Sequence, residues 1–122
     1  MTKLKMGKIQ MRIMKILWEK KTASAREITH ELNQIYPIAH STIQTLLRIL
    51  EQKDVVDHKV EDRTFIFYPT VKDEKVINNA LREFLDNVFT GSASSLVQYL
   101  VKKRYISTRE LSEISEMLDK GK

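Results

Sequence analysis

The sequence predicts a mainly α-helical protein with a small β wing. Helical patterns of apolar residues fill residues 8–52, a hairpin pattern runs from about Val55 to Tyr68, and helical patterns return after it. Three helices followed by a two-stranded hairpin is the element order of a winged helix-turn-helix. We therefore expect a winged-helix domain over residues 1–70 and a second, helical domain over residues 71–122.

The first two helices are marked by apolar spacing and by a capping box. The first helix should run from about Lys8 to Lys20, because apolar residues recur there on one helical face. The second should run from about Ala25 to Gln34, since Ser24 and Glu27 can satisfy free amides at its start. The predicted buried residues are Ile9, Ile13, Ile16 and Leu17 in the first helix, and Ile28 and Leu32 in the second.

The third helix, from about His40 to Gln52, carries two stripes of opposite character. The apolar stripe comprises Ile43, Leu46, Leu47 and Leu50, and the polar stripe comprises Ser41, Gln44, Thr45 and Arg48. A helix anchored by one apolar face can present its polar face to base edges in the major groove of B-DNA. A solvated helix face is the alternative interpretation, and the hairpin that follows favours double-stranded DNA as the partner.

The hairpin has a charged tip between two β-rich runs. Val55-Val56 and the segment Thr64–Tyr68 are β-branched or aromatic, and Glu61-Asp62-Arg63 lies between them. Near the tip, Lys59 and Arg63 should lie along the DNA backbone or minor groove. We also expect His40, at the start of the third helix, to contact a phosphate.

The residues after a boundary near 70–72 predict three helices, over about 72–89, about 94–103 and from a capping box at Ser107 and Glu110. About 50 residues bury too little surface to fold alone, and the first of these helices is apolar on more than one stripe. We therefore expect a homodimer, with packing onto the winged helix of the same chain as the alternative. The predicted dimerisation residues are Ile77, Leu81, Phe84, Val88, Leu96, Leu100, Leu111, Ile114 and Leu118.

The amino-acid composition limits the kinds of chemical site and binding partner that we expect. The chain has 122 residues and no cysteine, so disulfides, thiolate zinc sites and cysteine nucleophiles are excluded. Residues 1–70 carry twelve Lys and Arg against eight Asp and Glu, which favours a polyanion partner for the first domain. His30-Glu31 begins a zinc-protease motif, but Gln34 stands where the second histidine is required. We expect no enzyme activity, no cofactor and no metal site.

The sequence contains no apolar run of the roughly 20 residues that span a bilayer. Its N-terminal apolar stretch is interrupted by Arg12 and Lys15, which is typical of an amphipathic helix rather than of a signal peptide. We expect a cytoplasmic protein without direct membrane binding.

At this point the sequence resembles the penicillinase repressor family, the BlaI/MecI type, over nearly its whole length. The segments that carry the resemblance are residues 13–18 (IMKILW), 24–28 (SAREI), 41–47 (STIQTLL), Tyr68-Pro69, Gly91 and 95–97 (SLV). The resemblance implies a homodimeric transcriptional repressor on a palindromic operator. It places Ser41, Gln44 and Thr45 in the groove, Thr42 near a phosphate, and the last three helices in the dimer interface.

The resemblance also implies a release step, in which a membrane-bound β-lactam sensor triggers cleavage of the repressor within its penultimate helix. The characterised repressors are cut at an Asn-Phe bond, and the matching pair here is Tyr99-Leu100. The wing has Asp62 where the family commonly has glycine, and Arg48 lies one residue earlier than the family's usual arginine. Without cysteine, the sensing mode of copper-responsive relatives is excluded. A winged-helix adaptor that binds protein and no operator is the alternative function.

Overall fold

The structure, a computed structural model, describes residues 4–121. Over these residues the element order is α1 (Lys8–Lys20), β1 (Ala23–Ser24), α2 (Ala25–Leu32), α3 (His40–Gln52), β2 (Val56–Glu61), β3 (Thr64–Pro69), α4 (Asp73–Phe89), α5 (Ala93–Lys102) and α6 (Thr108–Lys120). The predicted fold class, mainly α with a small β wing, is confirmed. The chain forms two compact units, one up to Ala80 and the other from Leu81, so this division falls within α4.

The helix starts in the first unit follow local signals in the sequence. At α2 the capping box is present, with the Glu27 amide donating to Ser24 Oγ at 3.1 Å and the Ser24 amide donating to Glu27 Oε1 at 2.8 Å. Helix α2 ends at Leu32 and not at the predicted Gln34. Asn33 closes the turn there, because its side-chain amide donates to Thr29 O and Ile38 O and accepts from the Ile38 amide.

The sheet contains one strand more than the sequence predicts. Strands β2 and β3 form an antiparallel hairpin in which Glu61 lies opposite Thr64. Asp62 and Arg63 form the connecting two-residue turn with φ angles of 49° and 66°, as a type I′ turn requires. Strand β1 adds to the other edge of β3 and encloses it in a sheet of order β1-β3-β2. Two residues are too few to show an alternating pattern, so β1 has no sequence signal.

The core of the first unit lies between the three helices and the sheet. Its fully buried side chains include Ile13, Met14, Leu17, Ile28, Leu32, Ile43, Leu47, Leu50, Val55 and Val56. Leu46, predicted in the buried stripe of α3, is partly exposed and packs at the edge of this core. Trp18 Nε1 donates to the Val71 carbonyl at 2.9 Å, which fixes the segment after β3 against α1. Burial of each aliphatic side chain contributes about 1.5–3 kcal/mol.

The second unit, described by itself, has well-formed helices and an open apolar surface. Gly91, with a φ of 82°, ends α4 as predicted. At α6 the predicted capping box is present, with the Glu110 amide donating to Ser107 Oγ at 3.1 Å. No side chain between residues 81 and 121 is fully buried in the single chain. None of the helices within residues 4–121 is both long and apolar enough to cross a membrane.

Candidate nucleic-acid interface

The polar stripe of α3 is exposed along its length. Ser41, Thr42, Gln44, Thr45 and Arg48 are all exposed, whereas the opposite face is anchored in the core. The two stripes predicted from the sequence are therefore separated in the structure. An exposed polar face on a firmly anchored helix is the arrangement that a major-groove reader needs.

Gln44 and Thr45 differ in what they can offer a base. The Thr45 hydroxyl donates to the Ser41 carbonyl at 3.0 Å, so its proton is used within α3. The hydroxyl oxygen of this exposed residue can still accept a hydrogen bond. The exposed Gln44 amide carries both a donor and an acceptor, the combination that matches the major-groove edge of adenine. Gln44 is consequently the better candidate for hydrogen-bonded base recognition.

His40 connects α2 to α3. Its Nδ1 lies 3.0 Å from Thr29 Oγ1, and that hydroxyl donates to the Ala25 carbonyl at 2.8 Å. Because a hydroxyl has one proton, Nδ1 must donate to Thr29, and Nε2 of the neutral ring is left as an acceptor. A contact from Nε2 to a phosphate therefore requires the protonated ring.

A surface cleft of about 540 Å³ in the first unit is lined by residues of β1, α2, α3 and the wing. It brings together four predicted DNA-binding residues, namely His40, Gln44, Arg48 and Arg63. Arg26, which lies between the capping residues Ser24 and Glu27, adds a cation that was not among the predicted DNA-binding residues. The full lining is Ser24, Ala25 and Arg26 from the start of α2, His40, Gln44, Arg48 and Glu51 from α3, and Arg63, Thr64, Phe65 and Phe67 from the wing.

Lys59 lies on the other face of the wing. Side chains alternate along β2, so His58 points toward α3 and Lys59 points away from it. Lys59 lines a second cleft that includes Trp18 and Tyr68, and its Nζ lies 3.1 Å from Glu61 Oε2. Of the two predicted wing cations, Arg63 therefore shares the cleft with α3 and Lys59 does not.

Glu51, Asp57 and His58 each place one potential metal-ligand atom within 4.8 Å of the others. Each of these three side chains already takes part in a hydrogen bond. His58 Nδ1 bonds to Glu51 Oε1, and Asp57 Oδ1 accepts from the His58 amide at 2.8 Å. We interpret the bond between His58 and Glu51 as a link that holds the wing against α3.

The predicted dimerisation residues form apolar surface in the single chain. Tyr99 and Leu100, the pair that the resemblance predicts as a possible cleavage position, lie inside α5. Tyr99 is exposed, whereas Leu100 is partly buried. Ile77, Leu81, Phe84, Val88, Leu111, Ile114 and Leu118 are exposed, and Leu96 and Leu100 are partly exposed.

Comparison with known sequences identifies one family. A family model described as "Penicillinase repressor" matches residues 6–120. The "Methicillin resistance regulatory protein MecI" of Mammaliicoccus sciuri is 32% identical over 108 residues, which cover 88% of each chain. The "Penicillinase repressor" of Bacillus licheniformis is 26% identical over 113 residues, which cover 93% of this chain and 88% of the relative. The matching family is one of transcriptional repressors and not of enzymes.

Solved structures resemble the fold. The solution structure of the DNA-binding domain of the repressor BlaI matches with a TM-score of 0.53 and 27% identity, over 60% of this chain and 90% of that one. The complex structure of hsRosR-SG matches with a TM-score of 0.57 and 19% identity, over 86% of this chain and 96% of that one. The second likeness concerns the fold alone. Both agree with the winged-helix arrangement of α1–α3 and the hairpin.

Proposed function

The chain belongs to the penicillinase repressor family, and from this premise we propose that it is a homodimeric repressor of a palindromic DNA operator. The observation that carries the proposal is the exposed polar stripe of α3, which borders a cleft also lined by Arg26, Arg48 and Arg63. A polar reading helix beside a concentration of guanidinium groups suits a partner with base edges and phosphates. Repression is steric, because an occupied operator blocks the polymerase.

Each DNA-binding residue has a distinct role in this proposal. Gln44, Thr45 and Ser41 face base edges in the major groove, and Arg48 pairs with a guanine or a phosphate. Thr42 and protonated His40 contact phosphates, as do Arg63 and Lys59 on the wing. Lys59 contributes less than Arg63, since Glu61 already compensates part of its charge.

The homodimer is supported by the second unit. Helices α5 and α6 contain no fully buried residue in the single chain. Leu118 is 69% exposed and Phe84 is 45% exposed, which is costly for large apolar side chains in water. A second copy of the same helices would cover these residues with a matching apolar surface. The two recognition helices would then lie about 34 Å apart, or a multiple of that distance, to enter successive major grooves.

Release from DNA is proposed to act through the second unit, by cleavage or by a change in its conformation. A membrane-bound sensor protease pathway is the partner that the family resemblance suggests. The Tyr99-Leu100 bond lies within the hydrogen-bonded turns of α5, so a protease can reach it only after that helix opens locally. Loss of the dimer interface would uncouple the two half-sites and greatly weaken operator binding.

Selection from a pool of random duplexes tests the proposal. The full-length protein should enrich an inverted repeat whose half-sites lie about 10 base pairs apart, or a multiple of that spacing. Sedimentation of the complex should show two chains on each selected duplex. Enrichment of a single half-site would contradict the dimer, and negligible DNA binding without a salt dependence would favour the protein-binding adaptor.

A further inference from the structure

Two apolar side chains are exposed near the tip of the wing. Val60 is 60% exposed and Phe65 is 50% exposed. They lie directly opposite each other in the β2–β3 register, so they form a continuous apolar pair on one face of the hairpin. Phe65 lines the cleft beside α3, which turns this face toward the proposed DNA surface.

The Phe65 ring is held in position by its neighbours. It stacks on the imidazole of His58, with ring centroids 4.0 Å apart and an interplanar angle of 12°. His58 is in turn bonded to Glu51 of α3, and Phe67 meets the Phe65 ring edge-on at 6.2 Å. Because these contacts fix the ring in the free protein, little side-chain entropy is lost when a ligand covers it.

The cleft that Phe65 lines is basic. Arg26, Arg48 and Arg63 line the same cleft. Glu51 is the one carboxylate among the lining residues of this cleft, and it is bonded to His58. A ligand that fits must therefore combine negative charge with an apolar surface. The backbone of DNA meets both requirements, because each phosphate is flanked by a deoxyribose ring.

We propose that Val60 and Phe65 pack against deoxyribose rings of the backbone that flanks the groove entered by α3. This contact rests on the proposed DNA-binding function and adds a third kind of interaction to it. It is independent of sequence, because the sugar is the same at every nucleotide. It is also independent of salt, because an apolar contact releases no counterions from the phosphates.

Salt titrations on a mixed-sequence duplex of about 30 base pairs, three helical turns, test the contact without knowledge of the operator. Phe65→Thr should weaken binding about tenfold, equivalent to about 1.4 kcal/mol, with an unchanged salt slope. Phe65→Leu should retain most of the affinity, because it keeps an apolar side chain. Val60→Thr nearly preserves the shape and strand preference of valine, and should weaken binding about threefold, a smaller loss than that of Phe65→Thr.

Ile35→Thr is the matched control, since Ile35 is 63% exposed and is not among the residues that line the cleft. It should leave binding unchanged. Unaltered affinity in Phe65→Thr and Val60→Thr, with a wild-type protein that binds DNA, would overturn the contact. So would a flatter salt slope in Phe65→Thr, since a flatter slope marks the loss of a phosphate contact. Failure of the wild-type protein to bind any duplex would instead contradict the proposed function itself.

Discussion

Nδ1 of His58 in the wing lies 2.5 Å from Oε1 of Glu51 in the last turn of α3. The two side chains are 24% and 35% exposed, so the bond is partly shielded from water. It joins α3 to the hairpin and helps to position the ring of Phe65 beside the cleft. The position of the wing therefore depends on a side chain of α3.

Removing this bond should destabilise the first unit. Glu51→Ala should lower the free energy of unfolding by about 1 kcal/mol, because a charge-assisted and partly shielded hydrogen bond is lost. Glu61→Ala is the control, since the Lys59–Glu61 pair is 55% and 57% exposed and should contribute close to zero. Urea unfolding followed by the fluorescence of Trp18, the chain's one tryptophan, measures both variants. Equal losses of unfolding free energy in the two variants would show that this bond stabilises the unit no more than the exposed ion pair does.

Gln44 should determine part of the sequence preference. Gln44→Ala should reduce the preference for the selected operator over a scrambled duplex by about 1–3 kcal/mol. Thr45→Val should have a smaller effect, because the Thr45 hydroxyl proton is already donated to the Ser41 carbonyl and the methyl group is kept. Gel-shift titrations on both duplexes provide the measurement. A loss of equal size on operator and scrambled DNA would refute base recognition by Gln44.

Substitution of Arg63 should change stability and DNA binding in opposite directions. Arg63→Gly should raise the free energy of unfolding by about 1 kcal/mol, because the backbone of a non-glycine residue is strained at a φ of 66°. The same variant should bind DNA more weakly and reduce the salt slope by about 1. Asp62→Gly is the control, since it places glycine at the neighbouring turn position with a φ of 49° and removes no cation. Unchanged DNA affinity in Arg63→Gly would exclude the phosphate contact.

The dimer should depend on the apolar face of α4. Phe84→Asp replaces a half-exposed aromatic ring with a charged side chain and should yield monomers in sedimentation velocity. Asn78→Asp adds the same charge at an exposed polar position of α4 and should remain dimeric. If the wild-type protein sediments as a monomer at every concentration, the proposed interface does not exist.

Helix α6 should lose its N-terminal cap in acid. The Ser107 amide and then its hydroxyl hydrogen-bond with Glu110, and these bonds hold the pKa of that carboxyl below its ordinary value of 4.5. A lowered pKa in the folded state stabilises the helix above pH 4.5, and this stabilisation disappears as the pH falls through the folded value. Helix content measured by circular dichroism should fall in that range. Glu110→Gln should remove this pH dependence, and an identical titration in both proteins would contradict it.

Local signals explain why much of the fold follows from the sequence. The bounds of α1 and α3 and the capping boxes at Ser24 and Ser107 depend on neighbouring residues alone, and all are found as predicted. Strand β1 and the Asn33 turn depend on contacts that form only after folding. Two residues carry no periodicity, and an asparagine after a helix does not reveal that its amide will reach Ile38.

The residues of the candidate site also divide into those that local sequence signals predict and those whose positions depend on folding. Gln44, Arg48 and Arg63 could be selected from the sequence, because the stripe on α3 and the hairpin tip are both visible there. The structure places the three side chains on one cleft. The opposite direction of Lys59 follows from the register of the Asp62-Arg63 turn, which was not assigned from the sequence. Arg26 was missed because its proximity to the wing arises from the packing of α2 and β3, elements distant along the chain.

Because no side chain between residues 81 and 121 is fully buried, the state of this part should depend on the concentration of the protein. If these helices complete their core only by association, the folding of this part is coupled to the amount of protein present. At concentrations near the dimer dissociation constant, the concentration of dimer falls more steeply than the total concentration of chain. Operator occupancy would then respond to synthesis and degradation with a threshold, so a modest decrease in repressor level would be sufficient to start transcription.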